Sequence, residues 1–149
     1  MRALIICASV SHGNTSRIAA AIAEVLEAEV VKPQEINVAK LAEYDLIGFG
    51  SGIFFGRHHG ELFRLVGALP TLNKRAFVFS TRGAGPPWVY HQDLRDELRA
   101  KGLHIIGEFS AKGWDTYGPL KYIGGINRGR PDEKDLNRAG EFARSLLKP

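Results

Sequence analysis

The stretch ALIICASVSHGNTSRIAAAIAEVLE at residues 3–27 decides the fold of this chain. Its first six residues form a continuous apolar run, which is typical of a strand covered on both faces. From Gly13 to Glu27 the spacing becomes helical, and Ile18, Ile22 and Val25 fall on one face. A buried strand that leads directly into an amphipathic helix predicts the first unit of a parallel α/β sheet.

The alternation of strand-like and helical segments continues along the chain. Further strands are predicted at 29–32, 45–50, 75–80 and 103–110, and helices at 38–41, 61–69, 92–101 and 132–147. Such alternation favours parallel strands joined by right-handed crossovers, with helices on both faces. We therefore expect an α/β fold with a three-layer, doubly wound, five-stranded parallel sheet in the order 2-1-3-4-5, in one domain over residues 1–149.

Composition and charge restrict the class of protein. The net charge is +4, from 20 basic and 16 acidic residues. The basic residues are interspersed with acidic ones and form no dense basic stripe, so nucleic-acid binding is disfavoured. The single cysteine, Cys7, excludes a disulfide within the chain, and its apolar neighbours predict a buried small side chain. The N-terminal apolar run is too short to span a membrane, and we expect a cytoplasmic protein without a membrane span.

The loop after the first strand combines hydroxyl, amide and glycine residues at the start of a helix. A helix N-terminus carries unpaired N–H groups and about half a positive charge, which favours an anion. Four side chains add hydrogen-bond donors: Ser9, Ser11, Asn14 and Thr15. Gly13 permits close approach of the backbone. The loop is predicted to hold a terminal phosphate, although an ordinary helix cap without a ligand is the alternative.

Two better-known phosphate motifs are excluded. A P-loop needs a lysine that is missing after Gly13, and no Gly-x-Gly-x-x-Gly sequence opens this helix. The similar-looking glycines at 48–52 lie within and after the third strand. His12 either donates a hydrogen bond to the phosphate or faces solvent, and the sequence leaves both possibilities open.

This loop resembles the phosphate-binding loop of the flavodoxin family, which usually reads Ser/Thr-x-Thr-Gly-Asn-Thr. Ser9 matches its first hydroxyl and Gly13-Asn14-Thr15 its end, while Ser11-His12 makes the loop one residue longer. The order of elements is similar over the whole chain. The resemblance implies the flavodoxin-like strand order and bound flavin mononucleotide (FMN), with Ser9, Ser11, His12, Gly13, Asn14 and Thr15 around the phosphate.

By the same resemblance, the loops after the third and fourth strands contact the flavin ring. In the first loop the candidates are Gly52, Ile53, Phe54 and Phe55, with one phenylalanine stacked on the ring. The alternative is that both phenylalanines fill a core or a partner interface. In the second loop the candidates are Thr81, Arg82 and Gly83. Arg82 either stabilises negative charge on the reduced ring or forms a surface salt bridge.

Other polar residues carry no assigned chemistry. His58 and His59 are adjacent and lack further ligands nearby, so a metal site is disfavoured. His91 and His104 are interpreted as isolated, and no catalytic constellation is assigned. The segment 114–131, rich in aromatic and basic residues, is predicted to cover the flavin, dock a partner or cap the edge of the sheet.

Three functions are compatible with these features. The first is an FMN-binding carrier of electrons between redox partner proteins, although the loop at 80–88 lacks the acidic residues typical of electron-carrying flavodoxins. The second is an FMN-dependent oxidoreductase acting with NAD(P)H on a quinone, a nitro compound or a porphyrin precursor. The third is a flavin-free interaction module of the same fold. Electron transfer is the leading prediction, and the oligomeric state is not predicted.

Overall fold

The computed structural model describes residues 1–9, 13–114 and 118–148, with the backbone alone at 118, 119 and 121. Five parallel strands form its central sheet: β1 (Ala3–Ala8), β2 (Glu29–Val31), β3 (Leu46–Phe54), β5 (Arg75–Arg82) and β6 (His104–Lys112). They lie in the order β2-β1-β3-β5-β6. The two-residue strand β4 (Arg57–His58) pairs antiparallel with β3, outside that order. The expected parallel order is confirmed.

Helices cover both faces of the sheet, as the alternating pattern predicts. They are α1 (Asn14–Leu26), α2 (Gly60–Gly67), α3 (Pro87–Ala100) and α4 (Glu133–Leu146), with 3-10 turns at Pro33–Glu35, Val38–Glu43 and Gly118–Ile123. Side chains of α1 and α4 share one apolar core with Ile5, Phe77 and Phe79. Side chains of α2 and α3 share the other with Ile6 and Val78. Alternate residues of each strand therefore serve opposite cores.

The glycines of β3 make room for aromatic rings. A Cβ on Gly48 would lie 2.2 Å from Cζ of Phe77, and a Cβ on Gly50 would lie 2.2 Å from Cζ of Phe79. Both rings are fully buried. The glycines at 48–52, which look like part of a dinucleotide motif, therefore have a packing role.

The sequence places the start of α3 too late. The predicted helix begins at Gln92, whereas α3 begins at Pro87. Proline is favoured at the first helical position because its fixed φ suits the helix and its missing N–H needs no partner there. Trp88 and Tyr90 thus belong to the first turn of α3 and not to a preceding loop.

The third strand is longer than predicted. β3 continues to Phe54 and returns through a two-residue turn at Phe55 and Gly56 into β4. Both turn residues have positive φ, 51° and 80°, as a type I′ hairpin turn requires. Glycine at the second position adopts this conformation readily, while phenylalanine at the first is strained.

Candidate functional site

The candidate site lies where β1, β3 and β5 end. In an open parallel sheet, ligands bind outside the carboxyl ends of the strands, where the strand order reverses. Here the order reverses between β1 and β3, because β2 lies on one side of β1 and β3 on the other. The described residues predicted for the site lie in the last residues of β3 and β5, or in the segments that follow β1, β3 and β5.

The start of α1 has features of the anion-binding helix N-terminus that the sequence predicts. Gly13 precedes the helix with φ 66° and ψ 22°, in the left-handed region. The Ser9 hydroxyl accepts a hydrogen bond from the N–H of Ser16 at 3.2 Å. Within the described part of the chain, no acceptor is found for the N–H groups of Asn14 and Thr15, which belong to the positive end of the helix. Two predicted donors lie outside the described residues, Ser11 and His12.

The side chains of Asn14 and Thr15 contact neighbouring elements. Asn14 Nδ2 donates to the carbonyl oxygen of Trp114 at 2.9 Å. Thr15 Oγ1 lies 2.7 Å from Oγ1 of Thr81, and both threonines are buried. These bonds join the start of α1 to the carboxyl ends of β5 and β6. The donors that remain available here are therefore chiefly backbone N–H groups.

The hairpin after β3 supplies the second segment. Ile53 pairs with His58, and the Phe54 ring meets the His59 ring edge-on with centroids 5.5 Å apart. Phe55 occupies the turn and is 86% exposed. The predicted residues Gly52 to Phe55 thus lie on the end of a strand and its turn, which is a more regular structure than the loop predicted from the sequence.

Buried polar contacts hold the base of this hairpin in place. The Ser51 hydroxyl donates to the carbonyl oxygen of Gly52 at 2.6 Å and accepts from the N–H of His59 at 2.9 Å. Ser51 is fully buried. It therefore connects the end of β3 to the residue that precedes α2.

The third segment follows β5 and contains a partly buried cation. Arg82 Nε donates to the carbonyl oxygen of Gly85 at 2.8 Å, and its Nη1 donates to Ser110 Oγ at 3.3 Å. Burial, with the nearby charges of Arg138 and Arg130, lowers the pKa of Arg82. The carbonyl oxygen of Gly83 accepts a hydrogen bond from Asn127.

Tyr90 connects the second and third segments. A Cβ on Gly85 would lie 1.9 Å from the Tyr90 hydroxyl oxygen, and a Cβ on Gly56 would lie 3.8 Å from its ring. The ring of Tyr90 is thus in close contact with Gly85 and near Gly56. This side chain from the first turn of α3 holds the two segments at a defined separation.

The segment after β6 is attached to both β6 and α4. Trp114 Nε1 donates to the carbonyl oxygen of Gly124 at 2.9 Å. The backbone N–H of Trp114 donates to the carbonyl oxygen of Arg130. Arg130 binds the buried carboxylate of Asp135 through two bonds, of 2.5 and 2.7 Å. Burial opposes ionisation of Asp135, but the bonds from Arg130 and Asp132 outweigh it and lower the pKa to about 2. Residues 115–117 lie outside the described residues.

A polar cluster around the buried side chains of Ser80 and His91 is not predicted from the sequence. His91 Nε2 lies 2.7 Å from Ser80 Oγ, and His91 Nδ1 lies 2.9 Å from Glu108 Oε1. Ser80 Oγ also lies 2.7 Å from Ser110 Oγ. The interpretation of His91 as isolated is therefore wrong. A pattern signal existed, because Ser80, Glu108 and Ser110 occupy strand positions that face α3, where apolar residues are usual.

Two side chains that the sequence analysis discussed, Cys7 and His104, lie outside the site. Cys7 is buried as expected, and burial raises the pKa of its thiol to about 12. His104 lies at the start of β6, where Nε2 meets Asn73 Oδ1 at 2.7 Å. Across residues 1–9, 13–114 and 118–148, no group of three His, Cys, Asp or Glu side chains is arranged to hold a metal. In the same ranges no helix has the length and apolar character needed to cross a membrane.

Comparison with known proteins identifies relatives of the chain. A family model described as a flavodoxin domain matches residues 4–104. An uncharacterised protein of Methanocaldococcus jannaschii is 46% identical over 151 residues, covering 99% of both chains. A flavodoxin from the domain Archaea superposes with a TM-score of 0.72 at 18% identity, covering 98% of this chain and 96% of the other. The Trp repressor binding protein from Bacillus subtilis superposes with a TM-score of 0.71 at 17% identity, covering 99% and 98%.

The two kinds of similarity support different statements. Structures at such low identity share the fold with this chain, including its five-stranded parallel sheet. The family model covers more than half of the sequence, and the M. jannaschii relative matches nearly all of it. The chain therefore belongs to the flavodoxin-domain family.

Proposed function

We propose that this protein binds FMN at the carboxyl edge of its sheet and transfers electrons between redox partners. The observation that carries the proposal is the start of α1, where the left-handed Gly13 precedes a helix whose first N–H groups lack acceptors in the described chain. A phosphate monoester suits this position because it accepts several hydrogen bonds and is favoured by the helix dipole.

The residues around this position also suit a flavin ring. Phe54 ends β3, Phe55 follows it, and Trp88 lies in the first turn of α3 beyond the loop after β5. Aromatic side chains favour offset or edge contacts with a planar ring. Backbone groups of Gly52 and Gly83 lie at the ends of β3 and β5, where they can approach a ligand closely. The predicted residues Ile53 and Thr81 complete the proposed ring site.

The chain contributes binding and electrostatics to the reaction. When bound, FMN supplies one- and two-electron redox chemistry, and the protein sets its orientation and potential. Arg82 places a cation at the end of β5, held by Gly85 and Ser110. A fixed cation stabilises negative charge that develops nearby. We expect the redox partners to be proteins, and a cytoplasmic location remains a prediction.

A second candidate function is reduction of a small anionic substrate by the same flavin. The observation that favours it is the excess of positive charge near the end of the sheet, where Arg82 has no carboxylate partner among the described residues and lies near Arg130 and Arg138, which share Asp135. These cations would attract a carboxylate or phosphate group, and they equally suit an acidic partner protein. Oxidation of NAD(P)H by the FMN-loaded protein without a partner protein would favour the substrate reaction.

The first experiment is an absorption and fluorescence titration of the purified protein with FMN. We expect retained flavin absorbance and quenched fluorescence at micromolar FMN. Gly13→Val should raise the Kd at least tenfold, because a β-branched residue at φ 66° is strained and displaces the first turn.

The matched control is Gly67→Ala. A Cβ at either glycine meets no atom within 4 Å, but only Gly13 has positive φ. We expect Gly67→Ala to bind FMN like the wild type. If the wild type retains no FMN at micromolar concentration, the proposal fails and the chain is better treated as a flavin-free interaction module.

A further inference from the structure

A continuous chain of hydrogen bonds extends from the candidate site into the protein beneath α3. Its members, in order, are Arg82, Ser110, Ser80, His91 and Glu108. The successive heavy-atom distances are 3.3, 2.7, 2.7 and 2.9 Å. The chain starts at a side chain predicted to contact the flavin and ends at a carboxylate on the middle of β6.

The two ends of this hydrogen-bond chain determine which way its hydrogens point when His91 is neutral. A guanidinium only donates and a carboxylate only accepts, so each hydrogen then points from the Arg82 side towards Glu108. Ser110 then donates to Ser80, Ser80 donates to Nε2 of His91, and Nδ1 of His91 donates to Glu108. This arrangement satisfies every member and requires a neutral His91 with its hydrogen on Nδ1.

Glu108 is a stable acceptor at the far end of the hydrogen-bond chain. Its side chain is 32% exposed and also accepts from Arg95 at 2.8 Å. Burial opposes ionisation, but hydrogen bonds from His91 and Arg95 outweigh it and lower the pKa of Glu108. The carboxylate is therefore ionised at neutral pH and reaches solvent, so a proton can leave the hydrogen-bond chain at this end.

The serine, histidine and glutamate also resemble a hydrolytic triad, but nucleophilic attack by Ser80 is excluded by its surroundings. Ser80 is fully buried, and its hydroxyl already contacts both His91 and Ser110. A substrate carbonyl would have to approach within hydrogen-bonding distance of that oxygen. Of the two serine hydroxyls in the hydrogen-bond chain, the accessible one is that of the half-buried Ser110, near the end of β6.

We infer that Ser110, Ser80 and His91 relay one proton from the carboxyl edge of the sheet to Glu108. This inference rests on the proposed FMN site as the source of the proton. The Ser110 oxygen takes up the proton and passes its own hydrogen to Ser80, and Ser80 passes its hydrogen to Nε2 of His91. The Nδ1 proton of His91 then passes to Glu108, which releases it to solvent. One proton is transferred in total, and no bond to carbon changes.

Protonation of His91 reverses both serine hydroxyls. An imidazolium donates from both ring nitrogens, so Ser80 must accept from His91 and donate to Ser110. Ser110 then accepts from Ser80 and Arg82, and its own hydrogen is free to point outward. Two hydrogen-bond arrangements of the same heavy atoms therefore correspond to the empty and the loaded relay.

His58 lies beside His91 but takes no part in the relay. Its ring lies with its centroid 4.9 Å from that of His91, and Nε2 meets the carbonyl oxygen of Phe79 at 3.0 Å. Among the described residues, its buried Nδ1 has no hydrogen-bond partner. Burial and the charge of His91 lower the pKa of His58 to about 3, against weaker effects of Phe79 and Glu108. His58 therefore stays neutral at neutral pH.

The first test uses ¹⁵N NMR of the histidine rings in ligand-free protein at a pH where His91 is neutral. We expect the hydrogen on Nδ1 of His91 in the wild type. Ser80→Ala should move the Nε2 resonance towards that of an unbonded ring nitrogen, whereas the exposed control Ser145→Ala should leave it unchanged. A hydrogen on Nε2 in the wild type would overturn the inference. Because no FMN is present, this result is independent of the proposed function.

The second test measures proton release after rapid oxidation of reduced, FMN-loaded protein, with a pH indicator in weak buffer. Ser110→Ala should slow proton release at least tenfold, and Ser110→Thr, which restores a hydroxyl, should recover it. The Kd for FMN is measured in both variants, so that the rates are compared at full FMN loading. Release at the wild-type rate in FMN-loaded Ser110→Ala would overturn the relay while leaving FMN binding intact.

Discussion

Phe55 is the residue whose conformation departs most clearly from its local preference. It adopts φ 51° at the tip of the hairpin and is 86% exposed. A bulky residue in the left-handed region costs about 1–2 kcal/mol. Strained residues that persist in a structure often serve a site. The strain at Phe55 is consistent with the proposed stacking on a flavin ring.

Phe55→Asn is expected to separate stability from ligand binding. Asn-Gly is the preferred sequence for a type I′ turn, so we expect the free energy of unfolding to rise by about 1 kcal/mol in urea titrations. The Kd for FMN should rise several-fold because the aromatic face is lost. Phe55→Tyr is the control and should retain wild-type affinity. If Phe55→Asn lowers stability or leaves the Kd unchanged, this role for Phe55 is wrong.

At the scale of elements, β3 combines two functions. Its first half packs against the phenylalanines of β5, and its last residues extend into the candidate site. Gly48 and Gly50 permit the packing against β5, since no side chain fits beneath the rings of Phe77 and Phe79. The position of the hairpin therefore depends on close packing within the sheet.

Gly48→Ala is expected to destabilise the protein. The added Cβ would lie 2.2 Å from the Phe77 ring, which is itself packed against Phe79 and Phe142. Overpacking of this kind costs about 1–3 kcal/mol, and we expect a loss near the upper end in chemical unfolding. Gly67→Ala, at the end of α2, is the control and should be neutral or stabilising by about 0.5–1 kcal/mol. A neutral Gly48→Ala would contradict the packing of β3 on β5.

At the scale of the whole molecule, buried His58 links stability to pH. Its pKa of about 3 in the folded protein lies below the ordinary value of 6.5. The unfolded chain therefore binds more protons between these two values. The stability that neutral His58 provides is fully present above pH 6.5 and is lost as pH falls towards 3.

We expect this loss to appear as a slope in stability against pH. The free energy of unfolding should decrease by up to about 1.4 kcal/mol per pH unit below pH 6.5, before the carboxylates titrate. His58→Gln, which can still donate to Phe79, should flatten the slope in urea titrations between pH 6.5 and 4.5. His104→Gln, which replaces an exposed histidine, should leave the slope unchanged. Equal slopes in the wild type and His58→Gln would show that His58 is not the buried group responsible.

The sequence by itself determined the fold and pointed to the segments of the candidate site. Apolar runs and helical spacing are local properties, so they predicted the order of elements and the order of parallel strands, and the family loop pointed to the start of α1. Boundaries were less accurate at Phe54 and Pro87, where pairing in a hairpin and a proline at the first helical position extended the elements.

Only the tertiary structure decided which polar side chains meet. Asn14 lies 100 positions from Trp114, and Ser80 lies 30 positions from Ser110, yet both pairs are hydrogen-bonded. The register of β5 with β6 and the placement of α3 bring His91 to Ser80 and Glu108. Strand register and helix packing determine which side chains come into contact, and local sequence periodicity predicts neither of them.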